Sequence, residues 1–104
     1  MVDYSIAIRT LGTADGKYQK LLDSINSLNI KPKKIIVMLP YGYSEPKQQL
    51  GYEEFHYCKK SMVLQRIRAL DYIDTKYVLF CDDDIEFLPD FIDKLLYPLE
   101  NLGY

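Results

Sequence analysis

Two kinds of hydrophobic pattern alternate along the chain. Tyr4-Ser5-Ile6-Ala7-Ile8-Arg9, Lys34-Ile35-Ile36-Val37-Met38-Leu39 and Lys76-Tyr77-Val78-Leu79-Phe80-Cys81 are short apolar runs bounded by turn formers or charge. Their β-branched and aromatic content predicts buried strands. The second is the most apolar, and Pro40 stops it. Between the runs, apolar residues recur at helical spacing. Tyr18, Leu21, Leu22, Ile25 and Leu28 predict a first helix, with Thr13 or Asp15 as N-cap and its end within Asn29 to Pro32. Ser61 caps a second, whose expected buried stripe is Val63, Ile67, Leu70 and Ile73. Pro89 opens a final amphipathic segment of Phe91, Ile92, Leu95, Leu96 and Leu99, broken near Pro98. Glu54 to Tyr57 predicts a short strand at a sheet edge. The polar stretch from Tyr41 to Glu54 has no periodicity and is long for a connection, which marks it as functional or mobile.

Strands alternating with helices imply βαβ units and a mostly parallel sheet, and right-handed crossovers favour a doubly wound one. Ligands in such sheets bind beyond the carboxyl ends of the strands, where strand order reverses. The non-repetitive features, Arg9 to Gly12, Pro40 to Tyr43 and Asp82 to Asp84, all stand at expected carboxyl ends.

Composition narrows the classes. At 104 residues the chain is one domain, 1–104, large enough for a core but small for a complete α/β enzyme. A formal charge of −2 gives no electrostatic ground for nucleic acid or an anionic membrane as partner. No apolar run reaches a membrane span, and the start Met-Val-Asp-Tyr lacks a signal peptide's regions. Two cysteines, Cys58 and Cys81, without CxxC spacing make neither a disulfide framework nor a zinc site, so a reduced cytoplasmic chain is expected.

Asp82-Asp83-Asp84 is the densest chemistry. On an extended segment Asp82 and Asp84 point one way and Asp83 the other. Two carboxylates roughly 4 Å apart repel by about 4 kcal/mol at an effective dielectric near 20, so something positive is expected beside them. Hard divalent cations suit such oxygens. A solvated acidic loop capping the following helix is the alternative.

With these residues in place, the chain resembles the N-terminal, nucleotide-binding half of a family 2 glycosyltransferase with the GT-A fold. Ser5-Ile6-Ala7-Ile8-Arg9-Thr10 matches the family's opening strand, and Lys34 to Leu39 its second. Gln65-Arg66-Ile67 stands where the family has alanine-arginine-asparagine, at the family's distance from a strand closing on the DXD motif, here Leu79 to Asp84. Leu88-Pro89-Asp90-Phe91-Ile92 also fits. The sequence departs from the pattern at Arg9, Leu11-Gly12, Leu39-Pro40 and Ile67, where the family has proline, tyrosine-asparagine, a base-binding aspartate and asparagine.

The resemblance implies strand order 3-2-1-4 and metal-dependent, inverting transfer of a sugar from a nucleotide-diphosphate donor to an acceptor hydroxyl. It places Mn²⁺ or Mg²⁺ at Asp82 and Asp84, with Asp84 the more direct ligand and Asp83 an alternative. Asp82 and Asp83 also stand for ribose or phosphate contact, Thr10 and Gly12 for close backbone approach to the nucleotide, and Arg66 for its side. The family's acceptor half and general base fall beyond Tyr104, and no residue here is assigned as base. Turnover is therefore not expected of this chain alone. A non-catalytic nucleotide-sugar or metal-binding module, or a decayed remnant, is the competing reading. Of the remaining residues, His56 is read as structural, and Tyr41, Tyr43 and Tyr52 as possible stacking faces. Arg9 is a phosphate candidate and Arg68 is read as solvent-facing. With strands three and four at opposite edges, the cysteines are expected to be free thiols roughly 14 Å apart.

Overall fold

The computed structural model describes residues 3–95. Four strands, β1 Tyr4–Arg9, β2 Lys34–Pro40, β3 Glu54–Cys58 and β4 Tyr77–Asp82, form an all-parallel sheet in the order β3-β2-β1-β4. Helix α1, Gly16–Asn26, and helix α2, Met62–Ala69, cover opposite faces. The expected α/β sheet and its strand order are both present. Cys58 and Cys81, on the two edge strands, are free thiols.

Alternation along β1 and β2 builds both cores. Ile6, Ile8, Ile35, Val37 and Leu39 point to α1 and meet Tyr18, Leu21, Leu22, Ile25 and Leu28 in the larger cluster. Phe87 and Ile92 close it, Ile92 standing in a helical segment over residues 91–95. Leu96, Pro98 and Leu99 lie outside the described residues. The opposite face buries Ala7, Ile36 and Met38 against Ala69 of α2 and Cys58.

α2 corrects one expectation. Ser61 caps it, its hydroxyl accepting from the Leu64 amide at 3.2 Å. The buried residues of the helix, however, are Gln65 and Ala69, while Val63, Ile67 and Leu70 are 64%, 48% and 49% exposed. Of the predicted stripe, Ile73, beyond the helix, packs against the smaller core. Ala69 lets the helix approach the sheet closely, and the Thr10 carbonyl at the end of β1 takes a side-chain donor from it. Gln65 is that donor, with Nε2 at 3.4 Å from the Thr10 carbonyl and 3.0 Å from that of Met38. Asp15 stands at the N-cap of α1 but makes no side-chain cap bond.

Candidate functional site

The sheet order reverses between β1 and β4: the chain runs outward through β2 and β3, then returns to the other side of β1. Thr10 to Gly12 and Asp82 to Asp84 leave the sheet side by side at this point. Arg9 and Asp82 are register partners across the two strands.

The three aspartates part company there. β4 ends at Asp82, and Asp83 and Asp84 form a turn, so the alternation expected of an extended run does not continue through them. Asp82 Oδ1 accepts from Arg9 Nε at 3.2 Å and Nη2 at 3.0 Å, and Arg66 Nη2 lies 3.8 Å from the same oxygen. Two of the protein's own cations thus supply positive charge beside the run. Asp83 turns elsewhere, its Oδ2 accepting from Thr10 Oγ1 at 2.7 Å. Asp84 is exposed and lines an open cleft of about 210 Å³ with Lys17, Lys20 and Glu86.

Thr10 is the hinge of the site. It is buried, its amide donates to the Met38 carbonyl at 3.2 Å, and its hydroxyl accepts from the Gly12 amide at 2.9 Å while donating to Asp83. Gly12 has φ +79°, a left-handed value that glycine adopts without cost. A Cβ there would stand 2.2 Å from the Ser44 carbonyl, so the segment following β2 closes directly over this turn. Behind it, Cys81 packs against the larger core, and its thiol is pushed up to about 12 by burial and then by Asp82 and Asp83. Burial, reinforced by Glu53, Cys81 and Asp83, raises the Tyr18 hydroxyl as well.

No known family model matches the chain, and no curated protein matches it.

At the switch point Arg66 and Asp82 belong to one contact set and Thr10, Gly12 and Asp83 to another beside it, with Asp84 on the adjoining turn. Among the described residues, no three His, Cys, Asp or Glu side chains come together as a metal-binding group. Asp82 and Asp83 direct their protein contacts to one oxygen each, and Asp84 faces out; these are oxygen donors of the kind Mn²⁺ or Mg²⁺ takes when a ligand's own oxygens complete the shell. Sequence reasoning missed Gln65 as the buried clamp, Arg9 as the partner of Asp82, and Lys17 and Lys20 beside Asp84. A lone glutamine in an amphipathic helix has no periodic signature, Arg9 depends on which strands become neighbours, and Lys17 and Lys20 on how α1 packs beside the end of β4. His56 stacks on Tyr72 with ring centroids 3.5 Å apart and planes at 9°, Tyr43 takes the Lys60 ammonium on its hydroxyl, and Tyr41 and Tyr52 are exposed.

Among the described residues no helix is long and apolar enough to cross a membrane.

Proposed function

We propose that this chain is the donor-binding part of a GT-A-type glycosyltransferase, holding a nucleotide-diphosphate sugar at the carboxyl ends of β1 and β4. The observation that carries the reading is the meeting of the aspartate run with the Thr10–Gly12 turn at the point where strand order reverses, where open parallel sheets bind ligands. Gly12 lets the Ser44 segment close over the turn that borders the site, and Thr10 fixes Asp83 beside it. Arg9 and Arg66 hold Asp82 in place and bring positive charge to the nucleotide side. Asp84 and the second carboxylate oxygen of Asp82 are the groups that would hold Mn²⁺ or Mg²⁺. The chemistry a bound cation supplies there is neutralisation of charge developing on the diphosphate leaving group. Free thiols and a nucleotide-sugar donor suit a cytoplasmic chain.

A second reading, a non-catalytic nucleotide-sugar or metal-binding module or a remnant of the fold, is favoured by one observation. Asp82 already has two arginines on one oxygen, which weakens its claim on a cation. Calorimetry with UDP and GDP, with and without Mn²⁺, tests the proposal. Nucleotide and metal together bind more tightly than either alone, and Asp84→Ala removes that coupling. Equal binding with and without metal, or no effect of Asp82→Ala and Asp84→Ala, defeats the donor-site reading.

A further inference from the structure

A second cleft, of about 420 Å³, lies along the β3 edge of the sheet. Its volume falls in the range of small-molecule sites, roughly 300–1,000 Å³. It is assembled from four places in the chain. Tyr41 follows β2 directly, and its amide donates to the Cys58 carbonyl at 2.9 Å, which ties it to the end of β3. Tyr57 comes from β3 itself, and Lys59 follows it. Leu64 and Arg68 are one helical turn apart on α2, and Tyr72 comes from the 3₁₀ turn Leu70–Tyr72. Arg66, by contrast, reaches from α2 to Asp82, so the helix stands between this cleft and the aspartates.

The lining has a specific chemistry. Tyr41 and Tyr72 provide the rings, and Tyr72 is held by its stack on His56, whereas the Tyr57 ring packs on the larger core behind the sheet. Tyr41 keeps 70% of its surface exposed at the mouth of the cleft. Lys59 and Arg68 are the charged groups of the lining, in a chain whose net charge is −2. The carboxylate nearest to them by ion pairing, Asp71, lies 3.8 Å from Arg68 with both side chains more than half exposed, a weak claim on the guanidinium. Burial raises the Cys58 thiol, so that wall is neutral at physiological pH.

We propose that this cleft is a binding site for a small molecule carrying a planar ring and one anionic group, a phosphate or a carboxylate. The ring lies against the tyrosine faces and the anion between Lys59 and Arg68. The site is separate from the donor site and does not depend on it, nor on a metal.

Titration of the isotope-labelled protein, followed by amide NMR in metal-free buffer, tests this with phenyl phosphate, benzoate, inorganic phosphate and benzyl alcohol. Phenyl phosphate or benzoate shifts the amides of Tyr41, Lys59, Arg68 and Tyr72 in one saturable set, with Kd of about 1 mM or tighter. Whichever of the two binds more tightly identifies the anion. Inorganic phosphate and benzyl alcohol, each lacking half of the chemistry, bind about tenfold more weakly. Lys59→Gln combined with Arg68→Gln, both at exposed positions, weakens the ring-bearing anion about tenfold, as does Tyr72→Leu, while Asp84→Ala changes nothing. The proposal is overturned if no saturable shift occurs at these residues, if the ring-free phosphate binds as well as phenyl phosphate, or if the double variant binds as the parent does.

Discussion

Arg9 and Asp82 face each other across two parallel strands, and the guanidinium holds one carboxylate oxygen through two nitrogens at 3.2 and 3.0 Å. A positive partner was to be expected beside three adjacent aspartates. The fold brings one from β1 and a second, Arg66, from α2. Removing both cations changes what Asp82 attracts. Arg9→Ala with Arg66→Ala tightens binding of Mn²⁺ alone several-fold, measured by the loss of free-ion EPR signal, because like charge near the carboxylate is gone. Unchanged Mn²⁺ affinity shows that Asp82 takes no part in cation binding.

Gln65 stabilises the same end of the sheet by a different means. Gln65→Leu keeps the volume but leaves the Thr10 carbonyl without that donor, and chemical denaturation should show a loss of about 1–3 kcal/mol. Arg66→Ala, one residue on, removes a half-exposed contact at 3.8 Å and costs no more than about 0.5 kcal/mol. Equal losses for the two variants contradict the clamp.

Gly12→Ala meets both a left-handed backbone and the Ser44 carbonyl. We expect a loss of about 1–3 kcal/mol, together with faster proteolysis in the segment between β2 and β3 as Ser44 is displaced. A variant as stable and as protease-resistant as the parent shows that this closure is not maintained in solution.

The raised Cys81 thiol makes stability depend on alkaline pH. The ordinary thiol value is 9.0 and the folded one about 12, so above pH 9 the unfolded chain loses its proton while the folded chain keeps it. Stability is therefore full below pH 9 and declines by a few kcal/mol as pH rises toward 12. Tyr4 and Tyr18, also raised chiefly by burial, steepen the decline at its upper end. Denaturation of Cys81→Ser across this range isolates the thiol: a slope identical to the parent's excludes it as the cause.

The outward face of α2 is the test of its corrected orientation. Ile67→Gln, at a position 48% exposed, should change stability by no more than about 0.5 kcal/mol, whereas Ala69→Leu overfills a closed contact and costs about 1–3 kcal/mol. The reverse ranking restores the predicted stripe.

What the residues alone determined is whatever depends on neighbours in the chain. The run from Tyr4 to Arg9 is a strand with those bounds, and Tyr18, Leu21, Leu22 and Ile25 are the buried face of α1. β2 was legible to within one residue and β4 is displaced by one, because a two-residue alternation or a continuous apolar run is written locally. The placing of Arg9 to Gly12 and Asp82 to Asp84 at strand ends was legible for the same reason. What only the tertiary structure decided is which partners those residues meet. The spacing of the second helix predicts an apolar stripe, yet it turns Gln65 inward, where Ala69 permits close approach and Nε2 reaches the Thr10 and Met38 carbonyls. Asp82, Asp83 and Asp84 are chemically identical in the sequence. They acquire different surroundings because the strand stops at Asp82, β1 brings Arg9 and Thr10 to its side, and α1 places Lys17 and Lys20 near Asp84. Hydrogen bonds and charges act across space at a few ångströms, and the distance along the chain between Arg9 and Asp82 carries no record of that approach.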